Sequence, residues 1–344
     1  MKSKIIYLDK MNQLRFNDRD CLIIYDKAIS KLNPKFNKWI SQQKLTYKVS
    51  SGESLKSLDS FARHIKNILN KIQGYNKNKI HIVAIGGGTL GDFVGFVASI
   101  VKRGVPLVQV PTTWLSCCDS AHGGKNALNV NAKNQLGTFY FADEIIIVKE
   151  LLSSLSTQQE KEGLGEYIKT SWIQKTPLFK NLTRAKKIDS DWLWKNLPYA
   201  IKVKNSIVKK DPFEQNGPRH WLNLGHTLGH ILENYYAFPH GVAVAHGLIF
   251  TLNWSFNKKW IDHKEYTKLS STIPDFLQKE LEKQKRQVPF IDKQSFFQLA
   301  QKDKKIYSTQ KIQFVFLKGL FKPHLKKVHL NDYYNEAVKQ GWAT

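Results

Sequence analysis

The stretch Ile80–Lys125, IHIVAIGGGTLGDFVGFVASIVKRGVPLVQVPTTWLSCCDSAHGGK, decides the fold. An apolar run from Ile80 to Ile85 breaks into three glycines, and a helical pattern follows from about Gly91 to Val101. A second apolar run, Val105 to Val110, ends in Pro111-Thr112-Thr113. Strand, glycine turn, helix and strand make a βαβ unit, whose helix N-terminus offers free amides and a positive dipole end to phosphate. Gly86, Gly88 and Gly91 have the GxGxxG spacing of dinucleotide-binding turns. Glycine permits positive φ there and lets the backbone approach a pyrophosphate. The acidic residue that usually ends the next strand is missing. The unit implies a nucleotide cofactor.

Outward from this unit, residues 1–150 alternate short β runs with helical patterns. The β runs are Ile5–Leu8, Leu22–Tyr25, Tyr47–Val49, Ile80–Ile85, Val105–Val110 and Ile145–Val148, and Leu55–Ile72 is the clearest helix. That alternation builds a parallel sheet. Over residues 151–344 helical periodicity dominates, in Gln158–Gln174, Trp192–Lys210, Asn223–Tyr235, Val242–Trp260 and Tyr266–Leu281. Pro177, Pro212, Pro218, Pro239 and Pro274 punctuate these segments. The expected class is α/β plus α: an N-terminal Rossmann-like parallel-sheet domain, 1–150, and a C-terminal helical metal-binding domain, 151–344. A cleft between them is the expected ligand site.

Composition excludes several classes. A chain of 344 residues with 42% apolar content suits two domains with a large core. No apolar run approaches the ~20 residues of a membrane span, and the best candidate, Val242–Phe250, is short and holds His246. No signal peptide is expected, because a charged, strand-like segment follows Met1. Three cysteines, with Cys117 and Cys118 adjacent, form neither a disulfide framework nor a CxxC site, so reduced thiols in a cytoplasmic protein are expected. The net charge of +25 is spread along the chain in ones and twos, with no basic run interleaved with aromatics. Neither a nucleic-acid nor a membrane partner is expected. A small anionic substrate would benefit from the field.

Two regions have the residue types of a metal site. Trp221–Glu233, WLNLGHTLGHILE, puts His226 and His230 four apart on one helix face, a spacing that can chelate a divalent metal. His240 follows Pro239 at the start of the next helical segment, and upstream Glu166 and Lys169 share a face of another. Spacing alone names His226 and His230 as the chelating pair.

GGGxxGD, KRG, VPTT, DSxxGGK and KN, followed by ExxK, LNxGHxxGH and HG, run in that order over roughly residues 50 to 310. This succession resembles the 3-dehydroquinate synthase family of sugar-phosphate cyclases. The resemblance implies Glu166, His226 and His240 as ligands of a catalytic zinc or cobalt, with His230 left to contact substrate. It implies a seven-carbon sugar-acid phosphate as substrate, bound by Arg103, Lys125, Lys133, Asn134, Lys169, Lys204, Arg219, Asn223, His230 and Lys304. Asp119 and Glu214 are the matched acidic members. NAD is the implied cofactor, held by Asp26, Glu53, Lys56, Gly87, Gly88, Asp92, Thr112, Thr113 and Lys133. Transient oxidation by NAD, loss of phosphate, reduction and aldol closure make up the implied cycle. A homodimer is expected.

The chain departs from the family in places. His240-Gly241-Val242 stands where HGE is usual, and Ala121-His122 and Asn126 replace commoner small and hydroxyl residues near GGK. Three other readings follow. One is a related cyclase forming an amino-dehydroquinate, a valiolone or a deoxy-inosose. The second is a metal-dependent NAD alcohol or glycerol dehydrogenase, which needs no lysine-rich phosphate pocket. The third is a homologue without activity.

Overall fold

The computed structural model describes residues 3–16, 19–215, 217–302, 306–308 and 310–344. The chain divides into two compact units, Met1–Glu160 and Lys161–Thr344.

The first unit is built on strands β1 (Lys4–Leu8), β2 (Asp20–Asp26), β3 (Thr46–Val49), β4 (Ile80–Gly86), β5 (Leu107–Pro111) and β8 (Glu144–Val148). They form one parallel sheet in the order β1-β8-β5-β4-β2-β3. Helices α1 (Lys27–Leu32), α2 (Pro34–Ile40), α3 (Leu58–Lys71), α4 (Gly88–Ile100) and α5 (Lys149–Leu152) connect or follow the strands. Ile80, Ile82, Val83 and Ile85 of β4 are wholly buried, and each such side chain contributes about 1.5–3 kcal/mol. Helix α4 buries Leu90, Phe93, Val94 and Val97, as a helix apolar on every side must. It packs on β4, β5 and a hairpin of β6 (Lys125–Leu128) and β7 (Leu136–Phe139). The sequence patterns did not reveal that hairpin. The expected helix Leu55–Ile72 is instead a 3₁₀ turn, Glu53–Lys56, and then α3, because Ser57 leaves the helix and caps α3 through its side chain.

The order of strands matters for the site. The connection from β2 runs outward to β3, whereas that from β4 runs the other way to β5. Right-handed crossovers then put the following helices on opposite faces, opening a crevice at the carboxyl ends of β2 and β4.

Helix α6 (Thr157–Ile173) starts in the last residues of the first unit and continues into the second, which also holds α7 (Pro177–Thr183), α8 (Ser190–Lys210), α9 (His226–Tyr236), α10 (His240–Asn257), α11 (His263–Ser270), α12 (Asp275–Gln287), α13 (Lys293–Lys302) and α14 (Leu330–Lys339). The single helix expected over Tyr266–Leu281 is two, parted before Asp275 by Pro274, which cannot continue a ladder. The unit is also not wholly helical. Strands β9 (Ile306–Ser308), β10 (Lys311–Leu317) and β11 (Pro323–His329) form an antiparallel sheet. Its core is aromatic, with Phe250 and Trp254 of α10 packed on Phe314, Phe316 and Tyr333. Among the described residues no helix is long and apolar enough to cross a membrane.

Candidate active site

In the second unit, glycines bring three helix backbones unusually close. A Cβ on Gly241 would stand 1.7 Å from the Glu162 carbonyl oxygen, and one on Gly165 would stand 2.2 Å from that of Gly241. One on Gly247 would stand 1.8 Å from the Gly225 oxygen. No side chain larger than hydrogen fits these crossings. Gly225 also takes a left-handed conformation, φ 78, as the N-cap of α9. The result places Glu166 of α6 against the first residues of α9 and α10, His226 and His240.

Glu166 is wholly buried. Lys169 Nζ pairs with Oε2, while Oε1 faces His226 Nε2 at 3.5 Å and His240 Nε2 at 3.8 Å. The donor atoms of Glu166, His226 and His240 lie within 4.8 Å of one another. Neighbouring ligand atoms of a tetrahedral zinc with bonds of about 2.0–2.2 Å stand roughly 3.3–3.6 Å apart. A buried carboxylate paired with one ammonium on Oε2, whose Oε1 faces two imidazole nitrogens at close to that spacing, fits a divalent cation. His230 shares the imidazole cluster, its ring centroid 5.5 Å from that of His226 and 6.4 Å from that of His240. The pair suggested by spacing alone, His226 and His230, is thus not the set whose donor atoms converge.

Both imidazoles facing Glu166 are oriented from behind. His226 Nδ1 lies 3.2 Å from the Leu224 carbonyl oxygen, and His240 Nδ1 lies 3.0 Å from Glu233 Oε2. An N–H donated at each Nδ1 leaves each Nε2 lone pair pointing toward Glu166. Burial alone would lower the His240 pKa, but the Glu166 and Glu233 carboxylates outweigh it and lift it to about 9. Glu162, one turn before Glu166, is pushed above the usual carboxylate range by burial, with His240 opposing. Sequence reasoning passed over Glu162 and Glu233. The signal for Glu233 was its position seven residues after His226, on the same helix face. Val242, 1% exposed, brings no carboxylate, and Glu233 is the carboxylate hydrogen-bonded to His240 Nδ1.

Other polar side chains of this unit lie on neighbouring elements. Lys204 is buried on α8, and Asn223 is half-buried at the end of a 3₁₀ turn, Pro218–Asn223. Asp211, wholly buried, accepts the amides of Gln215 (2.7 Å) and Arg219 (3.3 Å), while Arg219 Nη1 donates to the Pro212 carbonyl. Glu214 has φ 59 and faces His220 at 3.9 Å. The role of Asp211 as organiser of this loop was not anticipated. Lys304 lies outside the described residues.

In the first unit, the glycine turn sits at the β2/β4 crevice. Gly87 caps α4 and Gly88 is its first residue. None of Gly86, Gly87, Gly88 and Gly91 has positive φ, so conformational freedom is not their purpose. They supply room: a Cβ on Gly88 would meet Ser120 Oγ at 2.8 Å, and one on Gly91 would meet Gln109 Oε1 at 2.9 Å. A narrow cleft here is lined by Gly87, Gly88, Asp92, Pro111, Ser116 and Ser120. Thr112 donates its amide to the Gly86 carbonyl, and Thr113 Oγ1 lies 2.8 Å from Ser116 Oγ. Asp26 ends β2 beside Gly86, since Tyr25 pairs with Ile85. An acidic residue therefore does stand beside the turn, on a strand earlier in the chain. A helix N-terminus with bare backbone and a flanking carboxylate fits a dinucleotide.

A polar network extends from this turn. Lys56, 3% exposed, pairs with Asp92 (2.7 Å) and donates to Asn134 Oδ1. Asn129 donates to Glu53 Oε2 at 2.8 Å and accepts the Asn134 amide at 2.8 Å. Lys133 is exposed beside Asn134. Lys125 begins β6 after Gly123 (φ 118) and Gly124 (φ 66). Asn126 is buried, donating to the Gly124 and Tyr140 carbonyls and lying against Gly95. His122 is buried 2.9 Å from the Cys117 carbonyl. These two departures thus build the hairpin and the turn before it. Asp119 lies in a π-helical turn, Ser116–Ser120. Arg103 is exposed beyond the C-terminus of α4, away from the glycine turn; the next residue, Gly104, lies against Tyr140, whose amide bonds Gly124.

A Rossmann-type sheet with a nucleotide turn, joined to helices carrying a carboxylate–imidazole cluster, defines the class of metal- and nucleotide-dependent cyclases and dehydrogenases. Sequence comparison separates the two. Residues 46–162 match the family model described as 3-dehydroquinate synthase N-terminal, and 163–306 the C-terminal one. A 3-dehydroquinate synthase from Idiomarina loihiensis is 33% identical over 303 residues, covering 85% of this chain and 82% of that protein. One from an Exiguobacterium species is 41% identical over 214 residues, covering 59% and 58%. In fold, a crystal structure of 2-deoxy-scyllo-inosose synthase with carbaglucose-6-phosphate, NAD+ and Co2+ is similar at a TM-score of 0.81 and 21% identity, covering 98% and 96%. The chain belongs to the 3-dehydroquinate synthase family.

Proposed function

We infer that the chain catalyses the cyclisation of 3-deoxy-D-arabino-heptulosonate 7-phosphate to 3-dehydroquinate with release of phosphate, as a carbon–oxygen lyase of the shikimate pathway. The observation that carries this is the convergence of Glu166, His226 and His240 in a chain of this family. A bound zinc or cobalt would lend Lewis acidity to a substrate hydroxyl, and NAD would accept and return a hydride within one turnover.

The residues divide the remaining work. Glu166, His226 and His240 would hold the metal, with Glu233 fixing the His240 ring. His230, whose ring lies beside both imidazoles, is assigned to contact substrate. Asp26, Glu53, Lys56, Gly87, Gly88, Asp92, Thr112, Thr113 and Lys133 are assigned to NAD. Arg103, Lys125, Asn134, Lys169, Lys204, Arg219, Asn223 and Lys304 are assigned to the substrate carboxylate and phosphate, where fixed cations replace water. Asp119 and Glu214 complete the set. Cys21, Cys117 and Cys118 are free thiols, in keeping with a cytoplasmic location, and a homodimer is the proposed assembly.

The test is incubation with the seven-carbon acid phosphate, catalytic NAD+ and Zn2+ or Co2+. Phosphate and a carbocyclic acid should appear together, with no net NADH. NADH accumulating in step with product would instead identify a dehydrogenase. Turnover of a hexose phosphate, which lacks the carboxylate, and of no acid phosphate would identify a different cyclase.

A further inference from the structure

A roomy cavity of the first unit lies away from the glycine turn. It lies at the N-terminal end of β2, with a volume of about 690 Å³, within the range of small-molecule sites. Asp20, Cys21 and Ile23 of β2 line it, whereas Asp26 at the far end of the strand belongs to the nucleotide crevice. Seven residues of strand separate the two by roughly 20 Å.

The cavity has an apolar floor and a basic rim. Met11, Leu14, Ile23 and Trp39 form the floor, each at most 9% exposed as a residue. The indole is fixed, since Trp39 Nε1 donates to the Leu14 carbonyl at 3.0 Å and its ring packs against Phe36. Lys10, Arg15, Arg19, Lys35, Lys38 and Lys44 stand around it, against two lining acids, Asp20 and Glu150. Glu150 is already engaged by Lys35 and the Met11 amide, and Arg19 by Glu144 outside the cavity. Lys10, Arg15, Lys38 and Lys44 have no carboxylate within ion-pair distance among the described residues. Four cations without a direct ion pair around a preformed apolar floor repel one another, and an organic anion with a flat apolar body relieves both features at once.

We propose that this cavity is a second small-molecule site, distinct from the nucleotide crevice, for an amphipathic organic anion. The probe is 8-anilinonaphthalene-1-sulfonate, titrated fluorimetrically into the full chain at low salt with saturating NAD+ present. One equivalent should bind, and the uncharged N-phenyl-1-naphthylamine should bind at least tenfold more weakly. The Lys10→Gln, Arg15→Gln, Lys38→Gln, Lys44→Gln variant changes only exposed side chains and should weaken the sulfonate at least tenfold without altering the thermal melt. A second variant, Gln42→Trp, should fill the mouth and reduce binding with the charges intact. Displacement of the probe by NAD+, equal binding of the uncharged analogue, or unchanged affinity in both variants would overturn the proposal.

Discussion

Removal of the Glu233 carboxylate isolates one contact behind the proposed metal. His240 Nδ1 lies 3.0 Å from Glu233 Oε2, and no other side chain among the described residues is hydrogen-bonded to that nitrogen. A hydrogen bond to a charged group is worth about 1.5–3 kcal/mol. The Glu233 side chain keeps 23% exposure, so solvent screens part of that and the lower half of the range applies. At about 1.4 kcal/mol per tenfold, Glu233→Ala should weaken zinc affinity roughly ten- to fortyfold, as the ring loses its orientation and basicity. Glu233→Gln keeps an acceptor oxygen for the N–H but no charge, and should lose about threefold to tenfold. Competition against a chromophoric chelator at fixed pH and ionic strength measures both. Zinc affinity of Glu233→Ala within twofold of the parent, with an unchanged melt, would refute the reasoning. So would a loss in Glu233→Gln as large as in Glu233→Ala, because charge and geometry would then be inseparable.

Metal analysis of three single variants distinguishes the ligand set: His226→Ala and His240→Ala should lose metal and turnover together, whereas His230→Ala should keep most metal and lose rate. Lys125→Ala and Arg219→Ala should each weaken the acid phosphate substrate by roughly ten- to a hundredfold and leave NAD+ affinity nearly unchanged, as read by separate substrate and NAD+ titrations. Gly247→Ala, whose Cβ would stand 1.8 Å from the Gly225 oxygen, should cost about 3 kcal/mol or more in urea unfolding and lower metal affinity by shifting His226. His246, pulled down to about 4 by burial and opposed by its bond to Gln284, stays neutral in the folded chain while the unfolded chain takes up a proton near pH 6.5. Its contribution is therefore whole above pH 6.5 and is lost as pH falls toward 4, amounting to up to about 3 kcal/mol. Urea midpoints of His246→Gln should fall less steeply than the parent over that interval; parallel slopes would rule out this source.

What the sequence carries locally proved readable. The strands of the sheet appear within two or three residues of their apolar runs, because a fully buried parallel strand must be apolar on both faces. Tyr266–Leu281 misled because periodicity continued across Pro274, and the β6–β7 hairpin was missed because its strands are four residues each and half exposed. Spacing along one helix could offer only His226 with His230, as a helical period relates neighbours on one element. His226, His240 and Glu166 come from three helices, and their convergence depends on backbone crossings at Gly165, Gly241 and Gly247 that no local pattern encodes.

The sequence by itself determined the α/β beginning, the helical metal-bearing half and, through the succession of motifs, the family. Those properties rest on periodicity and residue type, which act over a few neighbours. The succession of motifs named Asp26 through the family, but only the tertiary structure decided how it comes to stand beside the glycine turn, which carboxylate orients His240, and that the glycines of the turn serve packing and not positive φ. Asp26 precedes the turn by sixty residues and reaches it because strand order, not chain order, makes β2 the neighbour of β4.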